Sequence, residues 1–115
     1  MIPTESDLDW IVRRVQAFFD ASAIYLFGSQ GRGAARPGSD IDLLIVGPSR
    51  LPQHRRGREV AAALAAFPAK FDLLFYTEAE LAEAARDPLS FIGGILADSR
   101  VLYQSIPPPN PAVSG

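Results

Sequence analysis

The sequence predicts an α/β domain, in which a small mixed sheet of three to four strands packs against helices. Short apolar runs of five or six residues alternate with longer stretches whose apolar residues recur at helical spacing. The chain has 115 residues, enough for a single core, and its apolar fraction of 48% beside 21% charged residues is that of an ordinary globular protein. One compact domain is therefore expected.

The first element is predicted to be an amphipathic helix from about Glu5 to Asp20. Apolar residues recur along it at intervals of three and four, which places them on one helix face. Thr4 stands where an N-cap is needed, and Asp7 follows at the position that completes a capping box.

Short apolar runs predict the strands of the sheet. They are Ala23–Phe27, Ile41–Val46 and Phe71–Tyr76, with a possible edge strand at Val101–Tyr103. Gly28 ends the first run and opens a glycine-rich loop to Gly38. Gly47 and Pro48 end the second run.

Three further helices are predicted between and after these strands. They run from about Pro52 to Phe67, from Thr77 to Arg86 and from Leu89 to Ala97. Pro68 stops the first of them, and Thr77 with Glu80 forms a second capping box. The proline-rich segment 106–115 is expected to be a disordered tail, which leaves residues 1–105 as the domain.

Composition excludes several classes of protein. A formal net charge of −2 argues against a protein that coats nucleic acid, since such binding depends on many Lys and Arg contacts to phosphate. The absence of cysteine excludes a disulfide framework and a thiolate zinc site. Neither a signal peptide nor a membrane-spanning apolar stretch is apparent, so a cytoplasmic protein without membrane contact is expected.

Asp40 and Asp42 stand two residues apart at the start of an otherwise apolar strand. The two-residue period of a strand sends both carboxylates to the same face. Mg²⁺ would relieve their repulsion, because it binds carboxylate oxygens and keeps its other positions for water and phosphate. The alternative is that both are solvated strand-end residues of a turn.

Asp72 interrupts the third apolar run. A charge in a buried strand is costly unless it is paired or binds a metal. If this strand lies beside the second, Asp72 joins Asp40 and Asp42 at one end of the sheet. A salt bridge to Lys70 or to an arginine is the competing interpretation.

Gly28 and Ser29 follow the first strand and suit a phosphate-binding loop. Glycine lets backbone N–H groups approach an anion, and the serine hydroxyl adds a donor. A phosphate cradle beside a carboxylate cluster is the arrangement that metal-assisted phosphoryl or nucleotidyl transfer requires.

The spacing of these motifs resembles the nucleotidyltransferase superfamily of DNA polymerase beta. Gly28-Ser29, ten further residues, Asp40-x-Asp42, an apolar strand and a later Asp72 reproduce its pattern. The stretches around Gly28, Arg32-Gly33 and Asp40 closely resemble the minimal nucleotidyltransferases of bacteria and archaea, over residues from about 8 to 103. The resemblance implies a polymerase-beta-like nucleotidyltransferase palm.

The resemblance also implies roles for the acidic residues. Asp40 and Asp42 match the pair that holds two Mg²⁺ ions. Asp72 matches the third carboxylate, which completes the second metal site and helps to deprotonate the acceptor.

In the loop, Gly28 and Ser29 match residues that grip the β- and γ-phosphates of ATP. Arg32 matches a basic position that reaches the triphosphate in relatives, with a salt bridge inside the loop as the alternative. Gln30-Gly31 replaces the Arg-Ala of many relatives, so one cationic contact to phosphate is missing.

Minimal members of this family are typically paired with a small HEPN ribonuclease toxin, which they neutralise by adenylylation. The resemblance therefore implies a type VII antitoxin that transfers AMP from ATP to a toxin hydroxyl, in a homo- or hetero-oligomer. The short chain leaves no residues for an acceptor-binding domain, which also favours a protein acceptor over nucleic acid. A non-catalytic binding antitoxin and an enzyme acting on a small molecule such as an aminoglycoside are the alternatives.

Arg55, Arg56 and Arg58 form a basic cluster at the start of the second predicted helix. A solvated helix face is the simpler interpretation, and a surface for an acidic partner or RNA is the alternative.

Overall fold

The computed structural model describes residues 3–28, 40–52 and 55–105. Within these ranges the helices are α1 (Glu5–Phe18), α2 (Arg58–Leu64), α3 (Glu78–Ala85) and α4 (Phe91–Ala97). The strands are β1 (Ala23–Phe27), β2 (Ile41–Val46), β3 (Phe71–Tyr76) and β4 (Arg100–Gln104). The fold is the predicted α+β architecture of a polymerase-beta-like nucleotidyltransferase, and the first three strands have the predicted bounds. The predicted tail 106–115 lies outside the described residues.

The strands form one mixed sheet in the order β3-β2-β1-β4. β1 pairs antiparallel with β2 on one side and with β4 on the other, whereas β2 and β3 run parallel. Because β2 and β3 are parallel, a connection must cross a face of the sheet between them, and α2 lies in that connection. β3 and β4 are the edges of this sheet.

The main core lies between one face of the sheet and helices α1 and α2. Alternate residues of β2 point into it and are completely buried, as are Ile11 and Val15 of α1. The two-residue alternation of β2 and the helical spacing of α1 thus bury matching faces. The core residues are Leu8, Ile11, Val15, Ala21, Ile24, Leu26, Ile41, Leu43, Ile45, Val60, Leu64, Phe67 and Phe75.

A smaller core covers part of the opposite face of the sheet. Ile92 and Ile95 of α4 pack there with Leu44 and Val46 of β2, and α3 contributes partly buried residues. Asp42 lies on the same face of β2 as Leu44 and Val46, but at the other end of the strand. Helices α3 and α4 therefore cover one end of this face, and the aspartate lies at the other.

The capping boxes predicted for α1 and α3 are confirmed. The Thr4 hydroxyl accepts from the Asp7 N–H at 3.1 Å, while the Asp7 carboxylate accepts from the Thr4 N–H at 2.8 Å. Thr77 and Glu80 repeat this exchange at α3. Both pairs satisfy N–H groups that have no partner inside the helix.

All four helices are shorter than predicted, α3 by only one residue at each end. α1 ends at Phe18 because Phe19 turns to extended backbone, with its ring 5.3 Å from that of Phe75. α2 begins at Arg58 because Gly57 has a left-handed φ of 79°. α4 begins at Phe91, with Ser90 as its N-cap.

The longest helix in the described ranges is α1, with 14 residues. None of the helices described is both long and apolar enough to cross a bilayer.

Candidate active site

The ends of three strands bring those predicted site residues that the structure describes to one end of the sheet. Phe27, the last residue of β1, pairs with Asp42, so Gly28 leaves β1 beside the start of β2. Asp40 immediately precedes β2 at the same end. Antiparallel pairing of β1 with β2 thus places the glycine turn and the Asp-x-Asp pair together, although the two motifs are separated in sequence.

Asp42 and Asp72 face each other across the parallel pair β2–β3. Neighbouring strands lie about 4.8 Å apart, and residues in register project from the same face. The prediction that Asp72 lies near Asp42 depends on β3 lying beside β2, and the structure shows this pairing.

The pKa of Asp42 is raised above its ordinary value of 3.8. Burial contributes most to this rise, and the negative charges of Asp72 and Asp40 add to it. A cation placed beside Asp42 would relieve the repulsion that Asp72 and Asp40 exert on this carboxylate.

Gly28 packs directly against the Asp42 carboxylate. Its φ is 69°, a left-handed conformation that favours glycine. A Cβ at this position would overlap Oδ2 of Asp42 and lie 3.2 Å from Cγ. Two features thus favour glycine here: the left-handed backbone conformation, and the Asp42 carboxylate, which leaves no space for a Cβ.

The expectation that Asp72 lies in a buried strand is wrong. β3 is an edge strand, and Asp72 is exposed. Water can therefore solvate this carboxylate, so its presence does not by itself demand a metal. The alternative salt bridge is not seen either, since Asp72 forms no ion pair with any residue that the structure describes.

The donor set at this end of the sheet consists of carboxylate oxygens, which suit Mg²⁺. Across residues 3–28, 40–52 and 55–105, no three acidic, histidine or cysteine side chains stand close enough to enclose an ion. The negative charges of Asp72 and Asp40 both act on Asp42. Mg²⁺ is commonly held by one or two carboxylates with water and phosphate oxygens completing its shell. Asp42 with one neighbouring carboxylate would meet that requirement, whereas the roles of all three aspartates as metal ligands stay predictions.

Ser29 and Arg32, the other residues expected to contact the triphosphate, lie outside the described residues. Their roles stay predictions.

Two open cavities lie away from the carboxylates, beside the segment that leads into α2. One, of about 480 Å³, is lined by Phe18, Leu51 and residues 55–60 among others. The second, of about 500 Å³, runs along β3 and is lined by Arg55, Arg56, Gly57, Arg58, Ala61, Leu73 and Phe75. The basic cluster predicted from the sequence therefore borders both cavities.

Interpreting Arg56 as part of a solvated helix face is wrong. Its side chain is only 6% exposed and forms an ion pair with Glu80. It also donates to the backbone oxygens of Leu51, at 2.7 Å, and Phe75, at 3.2 Å. The hydrogen bonds that Arg56 donates to the Glu80 carboxylate, together with the one from the backbone N–H of Thr77, lower the pKa of Glu80 to about 2.

The sequence profile of the nucleotidyltransferase domain family matches residues 8–101 of the chain. No curated protein matches the chain significantly.

Several solved structures have a similar fold. A toxin–antitoxin structure with AMP-PNP superposes with a TM-score of 0.60 at 19% identity, covering 86% of this chain and 74% of that one. A Sulfolobus solfataricus protein assigned as a nucleotidyltransferase gives 0.58 at 24% identity, covering 85% and 78%. The MntA-HepT toxin–antitoxin gives 0.56 at 16% identity, covering 89% and 74%. At these identities the likeness is one of fold.

Proposed function

The chain belongs to the nucleotidyltransferase domain family, and from this premise we propose that it transfers AMP from ATP to a hydroxyl group of a partner protein. The observation that carries the proposal is the register of β2 and β3, which sets Asp72 opposite Asp42 at the end of the sheet where Gly28 leaves β1. A glycine turn beside paired carboxylates suits a nucleoside triphosphate and its cation.

In the proposed reaction, the acceptor oxygen attacks the α-phosphorus of ATP and a new P–O bond forms. The bond between the α-phosphorus and its bridging oxygen breaks, and pyrophosphate leaves. Asp72 is exposed and therefore able to reach an incoming hydroxyl, from which it would take the proton. Gly28 and Ser29 would position the β- and γ-phosphates, and Arg32 would add a positive charge near them.

Asp40 and Asp42 would hold two Mg²⁺ ions, with Asp72 completing the second set of ligands. When bound, Mg²⁺ neutralises charge on the phosphate oxygens and lowers the pKa of an oxygen that it contacts. The raised pKa of Asp42 agrees with this assignment, because burial and then the negative charges of Asp72 and Asp40 raise it, and no described cationic side chain pairs with Asp42.

We propose a HEPN-family toxin, encoded by the adjacent gene, as the protein acceptor. Two of the similar folds belong to toxin–antitoxin structures, one of which contains AMP-PNP. Because ATP is the donor, we expect the reaction to take place in the cytoplasm.

The test is transfer of α-labelled ATP to the purified product of the adjacent gene, with Mg²⁺ present and with EDTA. Asp42→Asn and Asp72→Asn should each lower transfer by about 10²-fold or more, since each removes a proposed metal ligand or base. Asp9→Asn is the matched control, because Asp9 is an exposed aspartate of α1 whose ion pair among the described residues is with Arg13.

Three outcomes would count against the proposal. Label that never reaches the partner protein would exclude protein adenylylation. Label that appears on a soluble small molecule instead would favour the alternative acceptor. Full neutralisation of the toxin by both carboxylate variants would favour an antitoxin that acts by contact alone.

A further inference from the structure

The outer edge of β3 has backbone N–H and C=O groups that form no hydrogen bonds to any described strand. The backbone oxygens of Lys70 and Tyr76 accept from Ile41 and Gly47 on the β2 side. In a parallel ladder the N–H and C=O of one residue point the same way, and successive residues alternate. The peptide groups of Phe71, Leu73 and Phe75 therefore point away from the sheet. Within the described ranges only the Phe75 oxygen has a partner there, the guanidinium of Arg56.

A cavity of about 500 Å³ lies along this edge, between β3 and the start of α2. Leu73 and Phe75 form its apolar wall, and Arg55 and Arg58 are exposed at its rim. Neither arginine pairs with an acidic side chain in the described part of the chain. This cavity, called the groove below, thus has an apolar wall and two exposed arginines, which suits a segment carrying apolar and acidic side chains.

The same edge strand carries Asp72 on its other face. A strand added beside β3 would place its side chains alternately in the groove with Leu73 and on the face with Asp72. Side chains directly opposite on paired strands have Cβ atoms about 5 Å apart. A hydroxyl residue of the added strand would therefore lie next to the proposed base.

We propose that the acceptor protein docks by adding an extended segment to the free edge of β3. Its groove-facing side chains would be apolar and acidic, to match Leu73, Arg55 and Arg58. Its opposite face would carry the hydroxyl that receives AMP beside Asp72. This inference rests on the proposed function, in that the acceptor is taken to be a protein.

Amide hydrogen exchange of the full chain, with and without the purified product of the adjacent gene and without nucleotide, tests the docking mode. The Phe71, Leu73 and Phe75 amides should exchange at least about tenfold more slowly in the complex, because each would gain a hydrogen-bond acceptor. Protection at the β4 edge or over α3 and α4 instead, or the absence of a complex, would overturn the inference.

Charge reversal tests the groove independently. Arg55→Glu with Arg58→Glu should weaken the complex by about tenfold or more. Arg13→Glu with Arg86→Glu is the matched control, since it makes the same charge change at exposed positions elsewhere and should alter affinity less than about twofold. Equal affinities for both double variants would contradict the proposal.

The two proposals fail separately. If label reaches the partner while the β3 amides stay unprotected, the docking mode is wrong and the transferase function stands. If the β3 amides are protected but no label is transferred, the docking mode stands and the proposed function is wrong.

Discussion

Replacing Gly28 by alanine should impair both folding and catalysis. A residue with a Cβ in the left-handed region costs about 1–2 kcal/mol, and Gly28 has a φ of 69°. For a domain of this size each kcal/mol corresponds to a fall in Tm of about 4–8 °C, so that loss predicts a fall of about 4–16 °C. The new Cβ would also overlap the Asp42 carboxylate and force it aside. A displacement of about 1 Å at a reacting centre can lower a rate by about 10²-fold.

Two other glycines make the test specific. Gly57 also has a left-handed φ, and a Cβ there would overlap the Phe75 ring. Gly57→Ala should therefore lose at least as much stability as Gly28→Ala, yet retain Mg²⁺-dependent ATP binding at temperatures where it is folded, because Gly57 lines the cavity beside β3 and does not contact Asp42. Gly94 has nothing within 4 Å of an added Cβ, so Gly94→Ala should gain about 0.5–1 kcal/mol from helix propensity.

Thermal unfolding and label transfer, measured on the same three variants, check these expectations. Wild-type stability and activity in Gly28→Ala would refute the reasoning that ties this glycine to Asp42. Equal losses of Mg²⁺-dependent ATP binding, measured on the Gly28 and Gly57 variants at matched folded fractions, would show that the effect is not local to the carboxylates.

Three further predictions concern stability. Hydrogen bonds lower the pKa of Glu80 from 4.5 to about 2, so their contribution to the free energy of unfolding is complete above about pH 5 and is lost as the pH falls toward 2. Urea unfolding should show that the free energy of unfolding of Glu80→Gln falls less steeply over this pH range than that of the wild type. The same pH dependence in both proteins would refute the assignment. Ile11 is completely buried, so Ile11→Ala should cost about 2–5 kcal/mol in the same assay; a cost below about 1 kcal/mol would contradict the described core. Thr4→Ala removes the N-cap of α1 and should cost about 1 kcal/mol, whereas Ser6→Ala in the same turn should cost much less.

The strands could be predicted from the sequence because their signals are local. β1, β2 and β3 are apolar runs closed by glycine, proline or a capping threonine, and their observed bounds match the prediction. The helix caps at Thr4 and Thr77 are equally local, since each depends on residues three positions apart. Local signals also placed Gly28 and Asp42 at strand ends.

The start of α2 could not be predicted in this way. Helical spacing favours a helix from Pro52, and no local pattern shows that Gly57 adopts a left-handed backbone. The ring of Phe75 occupies the space where a side chain at position 57 would lie. That contact joins residues far apart in the sequence, so it follows from the sheet topology.

The environment of the charged residues also depends on topology. Arg56 is buried because Glu80 and the Phe75 oxygen, distant along the chain, meet it across the end of β3. Asp72 is exposed because β3 is an edge strand, although its apolar neighbours suggest a buried one. Periodicity indicates which residues share a strand face, but not whether another strand covers that strand's edge.

The central claim, that these carboxylates serve nucleotidyl transfer, is tested most directly by parallel reactions with ATP labelled at the α- or the γ-phosphate. With Mg²⁺ and the partner protein, the α-label should become attached to the partner and the γ-label should leave in pyrophosphate. Asp42→Asn should abolish both results. A γ-label on the partner, or α-label transfer at the wild-type rate in Asp42→Asn, would contradict the account.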